Sequence, residues 1–426
     1  MFQFETLIYS NSEAIALGTD AIWTRSYLHI SEILLLLFFF SYFARLVFIQ
    51  NTKNIKIPSL QIYSILGIFI GIVTSYFFAS DPWLHILRSR HVLEGILLFY
   101  ILYSDRSLHK TVLYTVVFGA LFQSILMVLQ FLLNSSLGLW FFKEPVLSAE
   151  DLTTAKFHIS GENHIRAYGT FLHPNIAAGV LSLSLFLIFY FKKSLSFLTS
   201  WQYNSITFLI LAGILASVSK TAYFILLSTL VVWVCIRSAK TSHIFTSLQE
   251  RTSSLLVIEK DILRILWAIL MLAAVFFLLF SSIFLFFDST TLTDRFLLLK
   301  ASIQVLLSHP LGIGLGNFIL HLNHPSLPLF FPWEYQPVHS FFMLLLNELG
   351  IIGGISAIIF FLNIFFSFFQ RMYIHRKLLF SELGIIMTFF LYALIDHFWL
   401  TSWTGFILLI VILGTIYSEE SHDKLK

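Results

Sequence analysis

Charge is scarce in this chain of 426 residues: Asp, Glu, Lys and Arg make up only 12% of it, about half the share usual in a soluble domain. So low a charge, joined to high hydrophobicity, excludes intrinsic disorder. Cysteine is almost absent. The single Cys235 has no partner within the chain, which excludes a disulfide scaffold, and 19 glycines are far too few for a collagen-like repeat. The net charge is only +3 and the basic residues fall between apolar runs, so the chain carries no footprint for nucleic acid. What the sequence has instead is apolar bulk. Hydrophobic residues reach 58%, Phe alone numbers 48, and the mean hydropathy is +0.85.

That pattern predicts an all-α, polytopic transmembrane helix bundle of about 11–12 helices. A membrane-crossing helix needs roughly 20 apolar residues. Eleven runs meet or approach this, near 28–49, 58–79, 84–103, 110–133, 175–191, 203–218, 221–237, 263–287, 340–368, 378–397 and 403–418. The sixth and seventh are short and read as a hairpin reversing at the membrane surface around Ser219-Lys220. Strands of a β-barrel would alternate in polarity and run only 9–11 residues. Residues 1–27 hold Glu5, Glu13, Asp20 and Arg25 and lack the apolar core of a cleavable signal peptide.

The organisation expected is an N-terminal segment 1–27, N-terminal membrane helices in 28–133, a loop 134–174, central helices in 175–287, a large loop 288–339, C-terminal helices in 340–418 and a tail 419–426. Lys and Arg set the orientation. Lys53, Lys56, Arg106, Lys110, Lys192, Lys193, Arg371, Arg376 and Lys377 mark one side as cytoplasmic. This puts both long loops outside, with the N-terminus outside unless a twelfth helix precedes residue 28. Arg25, Arg88, Arg90, Lys143, Lys156, Arg166, Lys220, Arg295 and Lys300 fall on the outer side. Singly, each is explained by snorkelling, with the stem in lipid and the head in water. As a set gathered where the chain turns at the surface, they suggest an anion site.

Four segments carry chemistry. Arg166-Ala-Tyr-Gly-Thr-Phe-Leu-His-Pro-Asn175 joins a planar cation suited to phosphate to a proline fit for the first turn of a helix. Lys220 stands at the hairpin tip, where a cation between apolar helices needs water or a counter-charge. Leu292 to Asn317 contains Asp294-Arg295 and a run of glycines ending Gly-Leu-Gly-Asn317; with no strand before it, this run reads as a flexible turn and not as a dinucleotide loop. His339 heads the ninth helix, where the helix N-terminus favours a neutral imidazole. Glu348 lies nine residues on, about 13 Å down the helix, within reach of an arginine but not of His339. Arg90 and Glu94 are spaced as an ion pair on the third helix. A zinc reading from His321 and His324 with Glu334 or His339 is the weaker one, since no His-Glu-x-x-His occurs.

In their order, Arg166 through Pro174-Asn175, Asp294-Arg295, Pro310-Leu-Gly-Ile-Gly-Leu-Gly-Asn-Phe318 and His339-Ser-Phe with Asn347-Glu348-Leu-Gly350 resemble the bacterial O-antigen ligase and O-antigen polymerase superfamily. The resemblance implies a C-type membrane glycosyltransferase. It would move a glycan from an undecaprenyl diphosphate carrier to an acceptor on the outer side of a bacterial inner membrane, without metal or cofactor and with inversion. It puts the functional His at His339, as base or phosphate ligand, and phosphate-binding cations at Arg166 and Lys220, where the family usually has Arg at the second. Arg88 and Arg90 match a further basic pair loosely, Arg295 joins the diphosphate set, and Asn175 and Glu348 are supporting. The Asp396-His397 pair also occurs in relatives and receives no role. Lipid A–core, a second lipid-linked glycan or a protein hydroxyl are the acceptors left open. The competing class is a transporter or flippase of lipid-linked sugars, disfavoured because no internal repeat is visible and the unusual residues cluster at one surface.

Overall fold

A backbone in hydrocarbon must satisfy its own hydrogen bonds, so apolar runs of this length fold as helices. The computed structural model describes residues 5–10, 25–49, 59–151, 154–159, 161–241, 289–322, 335–374 and 380–423. Among them are twelve helices: α1 Ile30–Ile49, α2 Ser59–Tyr76, α3 Pro82–Ser104, α4 His109–Leu133, α5 Pro174–Tyr190, α6 Ser200–Ala216, α7 Lys220–Thr241, α8 Ser289–Ser308, α9 Phe341–Ile374, α10 Phe380–Ile395, α11 Phe398–Thr401 and α12 Trp403–Asp423. The run expected at 263–287 lies outside the described residues. Three helical stretches, Ser59–Tyr76, Arg106–Leu133 and Phe341–Ser367, are long and apolar enough to cross a bilayer, and four shorter apolar helices accompany them. The chain is a polytopic helical membrane protein.

Among the described residues two short antiparallel ribbons, which the helix pattern did not foresee, lie in the loops. β1 (Glu5–Ser10) pairs with β2 (Arg25–His29), and β3 (Lys156–Ile159) pairs with β4 (Glu162–Ile165). Tyr9 of β1 donates to Asp81, the N-cap of α3, at 2.6 Å, so the first ribbon sits at the end of the bundle where α3 begins.

Small residues let the helices approach closely, as they do where lipid removes the usual hydrophobic drive for association. α2 and α9 meet at Gly71 and Gly353, where a Cβ on either glycine would lie within 2.4–2.7 Å of the other's Cα. Phenylalanine fills the wider gaps. Phe389 of α10 packs against Phe361 and Phe365 of α9 at ring separations of 5.2 and 4.9 Å.

α9 is broken. Gly350 has φ 72°, a left-handed conformation that suits glycine, and a Cβ there would meet the carbonyl carbon of Leu311 at 2.3 Å. The glycine-rich turn fills the break. Ile313 and Gly314 donate their N–H groups to the carbonyls of Asn347 and Glu348, both at 3.0 Å, and Ile351 donates to Pro310 at 2.9 Å. The sequence suggested a flexible turn. The structure instead shows a tightly held wedge, because backbone groups freed by the break take their partners from the turn.

Candidate functional site

Each candidate side chain is held by a local device. The segment 166–173 hangs from two buried glutamines of α4. Gln130 accepts from the N–H groups of Tyr168 (3.0 Å) and Gly169 (2.8 Å) and donates to the carbonyl of Gly169 (3.0 Å). Gln123 accepts from Thr170 N–H at 3.0 Å and donates to its hydroxyl at 2.8 Å. Such groups are costly to bury unless paired, so the pairing fixes the loop. Arg166 N–H donates to Ala155 at 3.0 Å, and its guanidinium donates to Ser217 O at 3.0 Å and to Asn175 Oδ1 at 2.6 Å. Ser219 also donates to Asn175 Oδ1, at 3.0 Å. Asn175 thereby ties the α5 entry to the α6–α7 tip.

That tip reverses within three residues. α6 ends at Ala216 and α7 starts at Lys220, within two residues of the ends expected at 218 and 221. Val218 takes φ 48°, a conformation that a β-branched residue adopts only when its surroundings impose it.

His339 precedes α9 by two residues. The first N–H of the helix, that of Phe341, donates to the carbonyl of Asp396 at 3.0 Å, which brings the α10–α11 junction against His339. The His339 and His397 rings lie 5.4 Å apart. His397 Nδ1 bonds to Thr401 Oγ1 at 2.8 Å, and Asp396 accepts from the His397 N–H at 2.7 Å. Arg295 of α8 reaches the same corner and donates to Ile395 O at 3.0 Å. Burial, then Arg295 and His397, push the His339 imidazole down to about 3. His397 is likewise lowered by burial. Asp396 is held below the usual carboxylate range: burial alone would raise it, but His397, His339 and Arg295 prevail. With both imidazoles kept neutral by burial, Arg295 is the cation left to favour the Asp396 carboxylate.

A cavity of about 580 Å³ collects these groups. Arg88, Arg166, Lys220 and Arg295 line it with His339 and Asn175, and so do Lys156, His173, Asp294, Asp396 and His397. Four of the five cations that the sequence singled out for a diphosphate therefore share one space with the imidazole. Arg90 does not line it. Its guanidinium bonds to the buried Glu32 at 2.8 Å and to Tyr27 O at 3.2 Å, and meets Glu94 at 3.7 Å. Residues 88 and 90 stand about 200° apart around a helix of 3.6 residues per turn, so they face different surroundings. The Glu94 contact matches the i, i+4 spacing; Glu32 is a partner that spacing could not reveal. Glu348 is buried and lines, with Arg88, a small void next to the cavity.

Among the described residues two clusters carry metal-type donors: His29–Glu32–His91 and His339–Asp396–His397, each with ligand atoms within 4.8 Å of one another. Both stand beside a guanidinium, Arg90 in the first and Arg295 in the second, which opposes a divalent cation. In the first, Glu32 is already bonded to His91 at 2.6 Å. His321 bonds to Ser80 at 3.4 Å and stacks edge-on to His309, while His324 and Glu334 lie outside the described residues.

Sequence reasoning missed the Asp396–His397 contact with His339 and the part of Lys156. The first is joined only by the packing of α9 on α10. The second comes from a ribbon whose four-residue strands are too short for a period to show.

Residues 205–358 match a family model described as O-antigen ligase. The matched stretch includes Lys220, Arg295, His339 and Glu348; Arg88, Arg166 and Asn175 lie before it. No match was found among curated proteins.

Proposed function

The match over residues 205–358 supports membership of the O-antigen ligase superfamily, and from that premise we propose that the chain transfers a glycan from an undecaprenyl diphosphate carrier to an acceptor hydroxyl. The site faces the periplasm of a bacterial inner membrane. The observation that carries this reading is the meeting of five cations, four of them expected from the sequence, with His339 in one cavity.

The chemistry follows from the charges. The bond that breaks joins the anomeric carbon of the donor sugar to a diphosphate oxygen, and the leaving diphosphate takes the electron pair. It is already a stable anion, so it needs fixed positive charge more than a proton. Arg166, Arg88 and Lys220 supply that charge, with Arg295 at the His339 corner; held cations serve this purpose without a metal. The bond that forms joins the acceptor oxygen to the same carbon from the opposite face, which inverts the centre. The acceptor proton passes to His339, and Asp396 with its negative charge favours the imidazolium that results. Asn175 serves by holding Arg166. Arg90 has no part in it, because Glu32 and Glu94 engage it.

The acceptor is lipid A–core in a ligase, a second lipid-linked repeat in a polymerase, or a protein hydroxyl in a protein glycosyltransferase; we favour the ligase. Purified chain, a labelled glycan on undecaprenyl diphosphate and each acceptor in turn form the test. Transfer to lipid A–core with release of undecaprenyl diphosphate is the expected result. Movement of intact donor across vesicles with no transfer to any acceptor would replace the enzyme by a transporter.

A further inference from the structure

A buried carboxyl group demands donors, and Glu348 finds them in an unusual place. It is 4% exposed on α9, two residues before the break at Gly350. Gly316 and Phe318 of the turn and Arg88 of α3 surround the same small void as its side chain. The glycine-rich turn is itself pinned to α3: Asp81 N–H donates to Asn317 at 2.7 Å, and Leu315 N–H donates to His85 at 2.8 Å. The Arg88 stem passes Gly316 so closely that a Cβ there would meet its Cγ at 3.1 Å. Arg88 and Glu348 line a void of about 30 Å³ next to the main cavity, and Arg88 borders both.

We propose that Glu348 is the positioning residue for Arg88, its carboxyl orienting the guanidinium across the small void they both line so that Arg88 meets the donor diphosphate. The inference rests on the transfer reading above and deepens it. A guanidinium has five donors in a rigid fork. An anion-binding cation acts best when its geometry is set before the anion arrives. Glu348 supplies that preorganisation, and the helix break lets the turn approach closely enough to help. The contrast is Arg90, two residues along, whose fork meets carboxylates outside the cavity.

The test uses the full chain and a short-chain polyprenyl diphosphate as probe. Glu348→Gln keeps the size but brings an NH₂ group among donors. It is expected to weaken probe binding about tenfold and raise the donor KM similarly, with kcat changed less than threefold and Tm unchanged. Arg88→Lys should do the same, and the double variant should bind no worse than threefold below the weaker single one. Wild-type binding by Glu348→Gln, together with loss in Arg88→Ala and Arg166→Ala, overturns the positioning role and leaves the transfer reading intact. Wild-type binding by both Arg88→Ala and Arg166→Ala overturns both. If Glu348→Gln does not fold, Glu348→Asp decides: weakened binding at unchanged Tm supports the role, and wild-type binding ends it.

Discussion

At the scale of the residue, the proposed chemistry rests on a few side chains whose neighbours determine what they can do. His339→Ala should lower transfer by about 10²–10⁴-fold, the usual contribution of a positioned base, while Tm in detergent stays close to wild type. Its titration has a definite sign. The folded imidazole is pushed to about 3, below the 6.5 of the unfolded chain. Between these values acid protonates the unfolded chain first, so the stability contributed is complete above 6.5 and is lost as pH falls from 6.5 toward 3. Melting curves at pH 7.5 and 5 should show a larger loss in wild type than in His339→Phe. A bound diphosphate adds negative charge and raises the imidazole's basicity. The acid limb of kcat, which reports the complex, should therefore lie at higher pH than that of kcat/KM, which reports the free protein.

At the scale of the element, the site depends on departures from regular helix. Gly350→Ala puts a Cβ against Leu311 at a left-handed position and should cost about 1–3 kcal/mol, read by denaturant unfolding in detergent. The same variant should weaken transfer, because the break holds the turn against Arg88. Gln130→Leu removes partners from Tyr168, Gly169 and Glu144 together. Each orphaned buried group costs about 1–3 kcal/mol, so this variant should melt lower than wild type and lose its hold on Arg166. Sequence alone showed the hairpin tip at Lys220 and the start of α5 at Pro174, since a proline and a short polar interruption mark such points locally. It did not show the break in α9. There the run stays apolar on both sides of Gly350, and the reason for the break lies some 40 residues earlier in the turn that fills it.

At the scale of the whole molecule, the cavity gathers at one end of the bundle loops that the positive-inside count placed on one side. In a Cys235→Ser background, Glu162→Cys on the β3–β4 ribbon should react with a membrane-impermeant maleimide added outside spheroplasts. Ser194→Cys, between α5 and α6, should react only after the membrane is opened. The reverse pattern would turn the topology over and put the cavity on the cytoplasmic side.

Composition and hydrophobic run length determined the class of fold, because the bilayer imposes one length and one backbone solution on every crossing segment. The order of short polar motifs along the chain was enough to point at Arg166, Lys220, Arg295 and His339. Which of these share a space was decided by packing: α3 turns Arg88 toward the cavity and Arg90 toward Glu32, and α9 against α10 brings Asp396 to His339. The physical reason is that a helix repeats every 3.6 residues, so the direction of a side chain is local, whereas its partner is set by contacts between segments tens to hundreds of residues apart.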